Sequence, residues 1–178
     1  MVFKSSFKSF LEMNNEFYKF PDFNKIIDLE KFANKSGSGI SYERLIGCWN
    51  LRYVWKQGAE KVDNISSSLL QILSASLQLS KLDSEDENLE YVIQNSIRFG
   101  LLSIVFKGEA FLKGKRPVLF FYFNKVVISI SRLNILEKDF KKTDIKKLPF
   151  FALIASGKNN DWLCARGKGG GLALWIRS

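Results

Sequence analysis

Two segments near opposite ends of the chain carry matching strand signals. The first is LIGCWNLRY at residues 45–53, and the second is DWLCARGKGGGL at residues 161–172. The glycine two residues before Trp49 lets the chain turn sharply and approach its neighbours, while the indole forms a large plate across the floor of a closed sheet. A late arginine, Arg166 or Arg177, is expected to cover that plate as a cation–π pair. The two segments therefore predict the first and last strands of one closed β-barrel.

Between these segments the chain follows the pattern of a β-meander. Short runs rich in β-branched and aromatic residues recur at the spacing that is typical of consecutive strands. Strands are predicted near residues 48–56, 74–80, 90–98, 101–112, 117–132, 150–156, 161–166 and 171–177. Eight strands are enough to close a barrel that holds side chains or one small ligand. Residues 64–73 fit a short helix that covers one mouth of the barrel.

The N-terminal region has a helical pattern instead. Residues 5–19 place apolar side chains at helical spacing, Pro21 ends that segment, and a second helix is predicted over 24–34. Later in the chain, the run at 117–123 is apolar on both alternating faces, so one face goes inside the barrel and the other needs cover. We expect the N-terminal helices to provide that cover.

Composition marks the boundary between these two regions. Residues 35–39 read KSGSG, which is typical of a linker, and Ser41 is placed to cap a short turn through residues 42–45. The predicted organisation is therefore a helical segment with its linker at 1–40 and a β-barrel domain at 41–178. The fold class is mainly β, with about eight antiparallel strands and N-terminal α-helices.

Composition also excludes several classes of protein. The chain has 178 residues, which suits one domain with a core of its own. It contains no apolar run of the ~20 residues that a membrane-spanning helix needs, and its charged N-terminus lacks the apolar core of a secretory signal. The sequence therefore predicts a protein that is neither secreted nor integral to a membrane, located in the cytoplasm or on a membrane surface.

Histidine, on which much common catalytic chemistry depends, is absent from the chain. This absence removes the commonest general base and the commonest metal ligand. Cys48 and Cys164 alone cannot complete a tetrahedral zinc site. If the first and last strands pair, these two cysteines are expected to be neighbours, as a disulfide or as two packed thiols. The glycines at 167–171 suit a hairpin rather than a phosphate loop. We therefore predict no catalytic residues, no metal and no cofactor.

The chain carries a net charge of +9, and the excess is concentrated in predicted turns. Residues 81–90 are mostly acidic or neutral, whereas basic residues are frequent after residue 112. The excess of positive charge therefore lies in the second half of the sequence. The basic positions there are Lys113, Lys115, Arg116, Lys141, Lys142, Lys146, Lys147, Lys158 and Lys168. Such turns act either as solvated surface charge or as a face for a polyanion, such as an anionic membrane surface.

The aromatic residues of the predicted strands suggest a lined pocket. Phenylalanine alone accounts for 16 residues, and such side chains build either a solid core or a ligand site. A pocket of this kind suits a flat or long apolar molecule whose head is held by one polar anchor. The anchor candidates are Arg132 and Arg166, since a guanidinium binds a carboxylate or phosphate through two hydrogen bonds. The expected lining residues are Trp49, Tyr53, Phe106, Phe121 and Phe123.

Three motifs together resemble one protein family. They are Gly47-Cys48-Trp49, the Arg-Gly-x-x-Gly hairpin at 166–170, and Phe106-Lys107-Gly108-Glu109-Ala110 followed by Arg116-Pro117-Val118. In this combination the chain, from about residue 42 to residue 176, resembles the plastid lipid-associated proteins, or fibrillins, of chloroplasts and cyanobacteria. The resemblance implies a lipocalin-like barrel that binds or organises lipid, quinone or carotenoid without catalysis. It also implies a place at photosynthetic membranes, on the cytoplasmic face of the thylakoid.

Two other functions stay open from the sequence. Lipocalin-like bilin lyases hold a tetrapyrrole and deliver it to a cysteine of another protein, and Asp161 or Glu109 would supply the acid for that reaction. Nucleic-acid binding is the third reading, because the chain is basic and aromatic. It is the weakest of the three, since the aromatic residues alternate within dense apolar runs. The sequence predicts no particular oligomeric state.

Overall fold

The computed structural model describes residues 20–63, 75–83, 90–141, 144 and 147–178, which form two helices and nine strands. The helices are α1 (Phe23–Ser36) and α2 (Tyr42–Leu45). The strands are β1 (Gly47–Trp55), β2 (Ser76–Lys81), β3 (Tyr91–Phe99), β4 (Leu102–Lys113), β5 (Val118–Ile130), β6 (Leu133–Asp139), β7 (Phe150–Ser156), β8 (Trp162–Gly167) and β9 (Leu172–Arg177). The mainly-β prediction is confirmed.

The strands form one antiparallel sheet that closes on itself. Strands β1 to β5 pair in the order of the chain. The ring then continues from β5 to β7, from β7 to β8 and from β8 to β9, and β9 pairs with β1. Eight strands thus form a ring-like arrangement. The remaining strand, β6, pairs with the C-terminal half of β5 and lies outside the ring. The predicted pairing of the first and last strands is confirmed by the β1–β9 ladder.

All eight predicted strands are present, with ends that differ by a few residues. The strand β6 was not predicted from the sequence, because the preceding strand was predicted to run to residue 132 and no strand was predicted between it and residue 150. The β5 strand ends at Ile130, and Ser131 adopts a positive φ of 57° in the turn to β6. Every residue of β6 is exposed, so the strand lacks the alternation of buried and exposed positions from which strands are recognised.

The second predicted helix is confirmed as α1. Asp22 accepts a hydrogen bond from the backbone N–H of Lys25 at 2.8 Å, which caps the helix, and Gly37 follows its last residue. The short turn at 42–45 is also present as α2, but the Ser41 side chain makes no capping hydrogen bond, which corrects that detail. The predicted helices at 5–19 and 64–73 lie outside the described residues.

Two apolar cores lie on opposite faces of the sheet. The inner core fills the ring around Trp49, Tyr91 and Phe121. The outer core lies where Ile26 of α1 packs against Trp55 and against residues of β7, β8 and β9. Because β8 and β9 alternate between the two cores, both faces of these strands are apolar, as expected of strands that are covered on each side.

Neighbouring strands cover part of the outer face of β5, and the predicted helix at 5–19, which was expected to cover it, lies outside the described residues. The described helix α1 packs over β7, β8, β9 and the end of β1 rather than over residues 117–123. On the outer face of the sheet, the ring of Phe120 instead contacts Phe111 at 5.4 Å and Phe150 at 5.7 Å between ring centroids. Neighbouring strands thus supply part of the cover that the sequence assigned to helices.

A buried carboxylate and two partly buried arginines fasten α1 to the sheet. Glu30 accepts hydrogen bonds from Nε of Arg166 at 2.7 Å and from a terminal nitrogen of Arg116 at 2.9 Å. A second Arg166 nitrogen reaches the other carboxylate oxygen at 2.5 Å. One carboxylate therefore joins α1 to β8 and to the β4–β5 turn.

Candidate functional site

The floor of the ring is built as the sequence predicted, with Arg177 as the covering residue. The Arg177 guanidinium carbon lies 5.0 Å from the centroid of the Trp49 ring. The indole N–H of Trp49 donates to the carbonyl of Leu45 at 2.8 Å, and Arg177 donates to the carbonyl of Ile46. These bonds and the arginine contact fix the position of Trp49, which is fully buried.

Gly47 is required by this floor for two reasons. Its φ of +143° is one that residues with a side chain rarely adopt, and a Cβ there would lie 2.6 Å from a terminal nitrogen of Arg177. The glycine of the Gly-x-Trp motif therefore makes room for the arginine that covers the tryptophan.

The middle of the ring is filled with aromatic side chains. Phe106 contacts Phe123 with 5.5 Å between ring centroids, and Phe123 contacts Phe121 at the same distance. Phe121 then stacks on Phe151 at 5.1 Å, and Phe151 meets Trp175 edge to face at 5.3 Å. This chain of rings crosses the interior from β4 to β9, and its pairs are tilted, stacked or edge to face.

Next to these rings lies a cavity of about 230 Å³, whose lining includes Leu77, the cross-strand partner of Trp49. Two members of the aromatic chain, Phe151 and Trp175, form one of its walls. Eight of its ten lining residues are apolar, and Asn95 supplies an amide. The lining residues are Leu51, Val54, Ala75, Ser76, Leu77, Asn95, Ile97, Phe151, Ala173 and Trp175. An apolar interior with one or two polar groups is the usual composition of a small-molecule site.

The structure separates the residues that the sequence predicted as one site. Trp49 and Phe121 belong to the inner core, Phe123 packs against it and Phe106 contacts Phe123, but none of these four residues lines the cavity. Tyr53 lies on the outer face against α1. The reason is a β-bulge: Leu51 pairs with Trp175, while Tyr53 pairs with Leu174, so the extra residue between them reverses the alternation.

The two predicted anchors also lie outside the cavity. Arg166 is on the outer face, where it pairs with Glu30. Arg132 lies in the β5–β6 turn and shares a surface concavity of about 320 Å³ with Arg98 and three serines. The sequence could not place either arginine, because the face of a side chain depends on the register of the pairing strands.

Sequence reasoning missed the residues that do line the cavity. Trp175 and Phe151 are the largest, and both stand on strands that were predicted correctly. A usable signal was the small size of Ala173, which packs against the inner core two residues before Trp175, while Leu172 and Leu174 face the outer core. A small residue beside a large one on an inner face leaves space that the neighbouring side chains do not fill.

Three ionisable groups near the ring are each held in one protonation state by their surroundings. The hydrogen bond from Arg166 holds the pKa of Glu30 below its ordinary value, so this carboxylate stays ionised. Burial raises the pKa of the Cys164 thiol and of the Tyr91 hydroxyl, so both stay protonated at neutral pH. Cys48 and Cys164 are both free. They stand on β1 and β8, which are separated by β9, so the expectation that they are neighbours is corrected.

No family model, no curated protein and no solved structure matches this chain. Within the described parts of the chain, no helix is both long enough and apolar enough to cross a membrane. The same residues contain no group of three or more cysteine, aspartate or glutamate side chains placed to hold a metal ion. A functional assignment must therefore come from the geometry of the ring and its surface.

Proposed function

We propose that this chain binds an apolar small molecule, or an apolar segment of a lipid, in the ring cavity without changing it chemically. The observation that carries the proposal is the cavity itself, which lies inside the closed sheet and has eight apolar residues among its ten lining residues. Burial of an apolar ligand there removes its surface from water, which contributes about 25 cal/mol for each Å².

The volume of the cavity limits the size of the ligand. At about 230 Å³ it exceeds the roughly 150 Å³ void that is known to accept benzene in another protein. It is smaller than the roughly 300–1,000 Å³ of a site that encloses a drug-sized ligand. The best fit is therefore one ring or a short acyl segment, with the rest of a longer molecule outside the mouth.

The floor of the ring supports a finer assignment. A closed antiparallel ring with Arg177 over Trp49 is the arrangement expected of a lipocalin-like barrel. The motifs at 47–49, 106–110 and 166–170 resemble plastid lipid-associated proteins, which favours a lipid, a quinone head or a carotenoid end group as the ligand. The resemblance also suggests photosynthetic membranes as the place of action.

Native mass spectrometry of gently purified protein tests the proposal directly. The expected result is a complex with one apolar molecule, which organic extraction then releases for identification. Two negative results together would contradict the proposal. The first is that protein purified from a lipid-rich native source carries no apolar molecule, and the second is that it does not bind a neutral apolar probe such as N-phenyl-1-naphthylamine.

A matched pair of variants assigns any binding to the cavity. Ala173→Leu adds three carbons to the cavity wall, whereas Ala59→Leu adds the same volume in the turn after β1. We expect the first variant to weaken probe binding by at least about tenfold, since one filled site excludes the probe, while the second binds as the parent does. If the parent, Ala173→Leu and Ala59→Leu all bound the probe equally well, the probe would bind outside the ring cavity.

A further inference from the structure

The end of the sheet beyond the cavity exposes a continuous row of apolar side chains. Phe99, Leu102, Ile130 and Leu133 are directly paired across β3, β4, β5 and β6, so they stand on the same face. Their exposed fractions are 60%, 37%, 47% and 75%. Leu101, in the turn between β3 and β4, is 70% exposed. We call these five residues the apolar edge.

The opposite face of the same strand ends is cationic and polar. Arg98, Ser103 and Ser129 are paired across the strands one position further in. Together with Gly100, Leu101, Ser131 and Arg132 they line the concavity of about 320 Å³, so Leu101 belongs to both surfaces. Among the described residues, neither arginine has a carboxylate within ion-pairing distance, and no acidic residue occurs in 97–104 or 128–135. Lys125, further along β5, is by contrast paired with Glu137 and Asp139.

We propose that this end of the sheet docks on an anionic phospholipid bilayer. The apolar edge enters the boundary between head groups and acyl chains, while Arg98 and Arg132 bind lipid phosphates with help from the serine hydroxyls. A strand end that is apolar on one face and cationic on the other matches the polarity of that boundary, where apolar and charged groups are buried at different depths.

Charge complementarity favours a bilayer over a second copy of this chain. A second copy joined through the same strand ends would offer Arg98 and Arg132 no counter-charge, because no acidic residue occurs in 97–104 or 128–135. An anionic surface instead supplies the missing counter-charge, and the net charge of +9 adds long-range attraction.

The apolar edge is also continuous with the cavity. A second row, formed by Ile97, Ile104, Ile128 and Leu136, lies directly behind it on the same face. Ile97 is itself one of the residues that line the cavity. A docked edge therefore places the cavity mouth near the acyl chains, so an apolar ligand meets little water on its way in.

Flotation of the full chain with vesicles tests the docking surface without any cavity ligand, so docking and ligand binding can fail separately. The probe vesicles are phosphatidylcholine with about one third phosphatidylglycerol, compared with phosphatidylcholine alone. We expect binding to the anionic vesicles and a loss of about fivefold in affinity for each of Arg98→Gln and Arg132→Gln. Phe99→Ser with Leu133→Ser should weaken binding by at least about tenfold.

Two control variants carry the same kinds of change elsewhere. Phe32→Ser removes a phenylalanine that is 64% exposed on α1, and Lys113→Gln with Lys115→Gln removes two charges from the end of β4 and the turn that follows it. All variants change exposed residues, and thermal melting should confirm that each one folds. The proposal fails if the parent chain ignores anionic vesicles, or if the lysine variant loses binding while the edge variants keep it. It also fails if sedimentation shows a dimer that only Phe99→Ser with Leu133→Ser dissolves.

Discussion

Replacing Glu30 by glutamine should destabilise the protein strongly at neutral pH. The Glu30 side chain is 11% exposed and accepts hydrogen bonds from both Arg166 and Arg116. Loss of one partner of a buried ion pair typically costs about 3–5 kcal/mol, because the other charge stays buried. The two arginines here keep 30% and 22% exposure, and glutamine still accepts a neutral hydrogen bond, so we expect about 2–4 kcal/mol.

The pH dependence of this effect has a definite sign. The pKa of Glu30 is lowered in the folded protein, mainly by the hydrogen bond from Arg166. A carboxyl group with a lowered folded pKa contributes its full stability above the unfolded pKa of about 4.3 and loses it as the pH falls through the folded value. The difference between parent and Glu30→Gln should therefore be constant near neutral pH and shrink in acid.

Urea unfolding followed by tryptophan fluorescence, from pH 7 down to about pH 3.5, measures this difference. The matched control is Asp28→Asn on the same helix, where the carboxylate is 69% exposed and pairs with Lys31 at 3.2 Å. That change should cost less than about 1 kcal/mol. Our account of the cluster is refuted if Glu30→Gln lowers the free energy of unfolding by no more than Asp28→Asn does. It is also refuted if the difference between Glu30→Gln and the parent stays constant when the pH is lowered from about 4.5 to about 3.5.

Three shorter predictions concern the floor, the sheet and the thiols. Arg177→Gln should cost about 1–2 kcal/mol and shift tryptophan emission, since it removes the cation–π contact with Trp49; unchanged emission and stability would contradict this. Gly108→Ala should prevent stable folding, because its Cβ would lie 1.8 Å from a backbone carbonyl oxygen of β5; a soluble variant with parental melting would disprove it. In the folded protein Cys164 should resist a thiol reagent and react only on unfolding, as burial raises its pKa; rapid labelling of two thiols would count against that.

Patterns along the chain predicted the strands well because strand formation has a local signature. Alternation and β-branched residues located eight of the described strands, and the Gly-x-Trp motif correctly predicted a covered tryptophan floor. Neither signal could choose between Arg166 and Arg177, because that choice depends on which face of its strand each arginine occupies. Arg166 follows the inward Ala165 and so faces α1, while Arg177 reaches the floor beside Gly47.

The candidate site was predicted only in part, for a related reason. Counting alternate residues from Trp49 puts Tyr53 inside the ring, but the bulge between Leu51 and Tyr53 sends it to the outer core. A bulge is set by how β1 pairs with β9, more than 115 residues later, so no local pattern reveals it. The apolar edge escaped notice likewise, because its residues come from four strands.

The sequence by itself determined a mainly-β chain, the place of most strands and a closed pairing of its ends. These follow from local preferences of the backbone and from the two matched segments at 45–53 and 161–172. Only the tertiary structure decided which side chains face inward, where the interior stays open and which arginines remain unpaired at the surface. Those outcomes depend on register and on packing between distant strands, because a shift of one residue exchanges the two faces of a sheet.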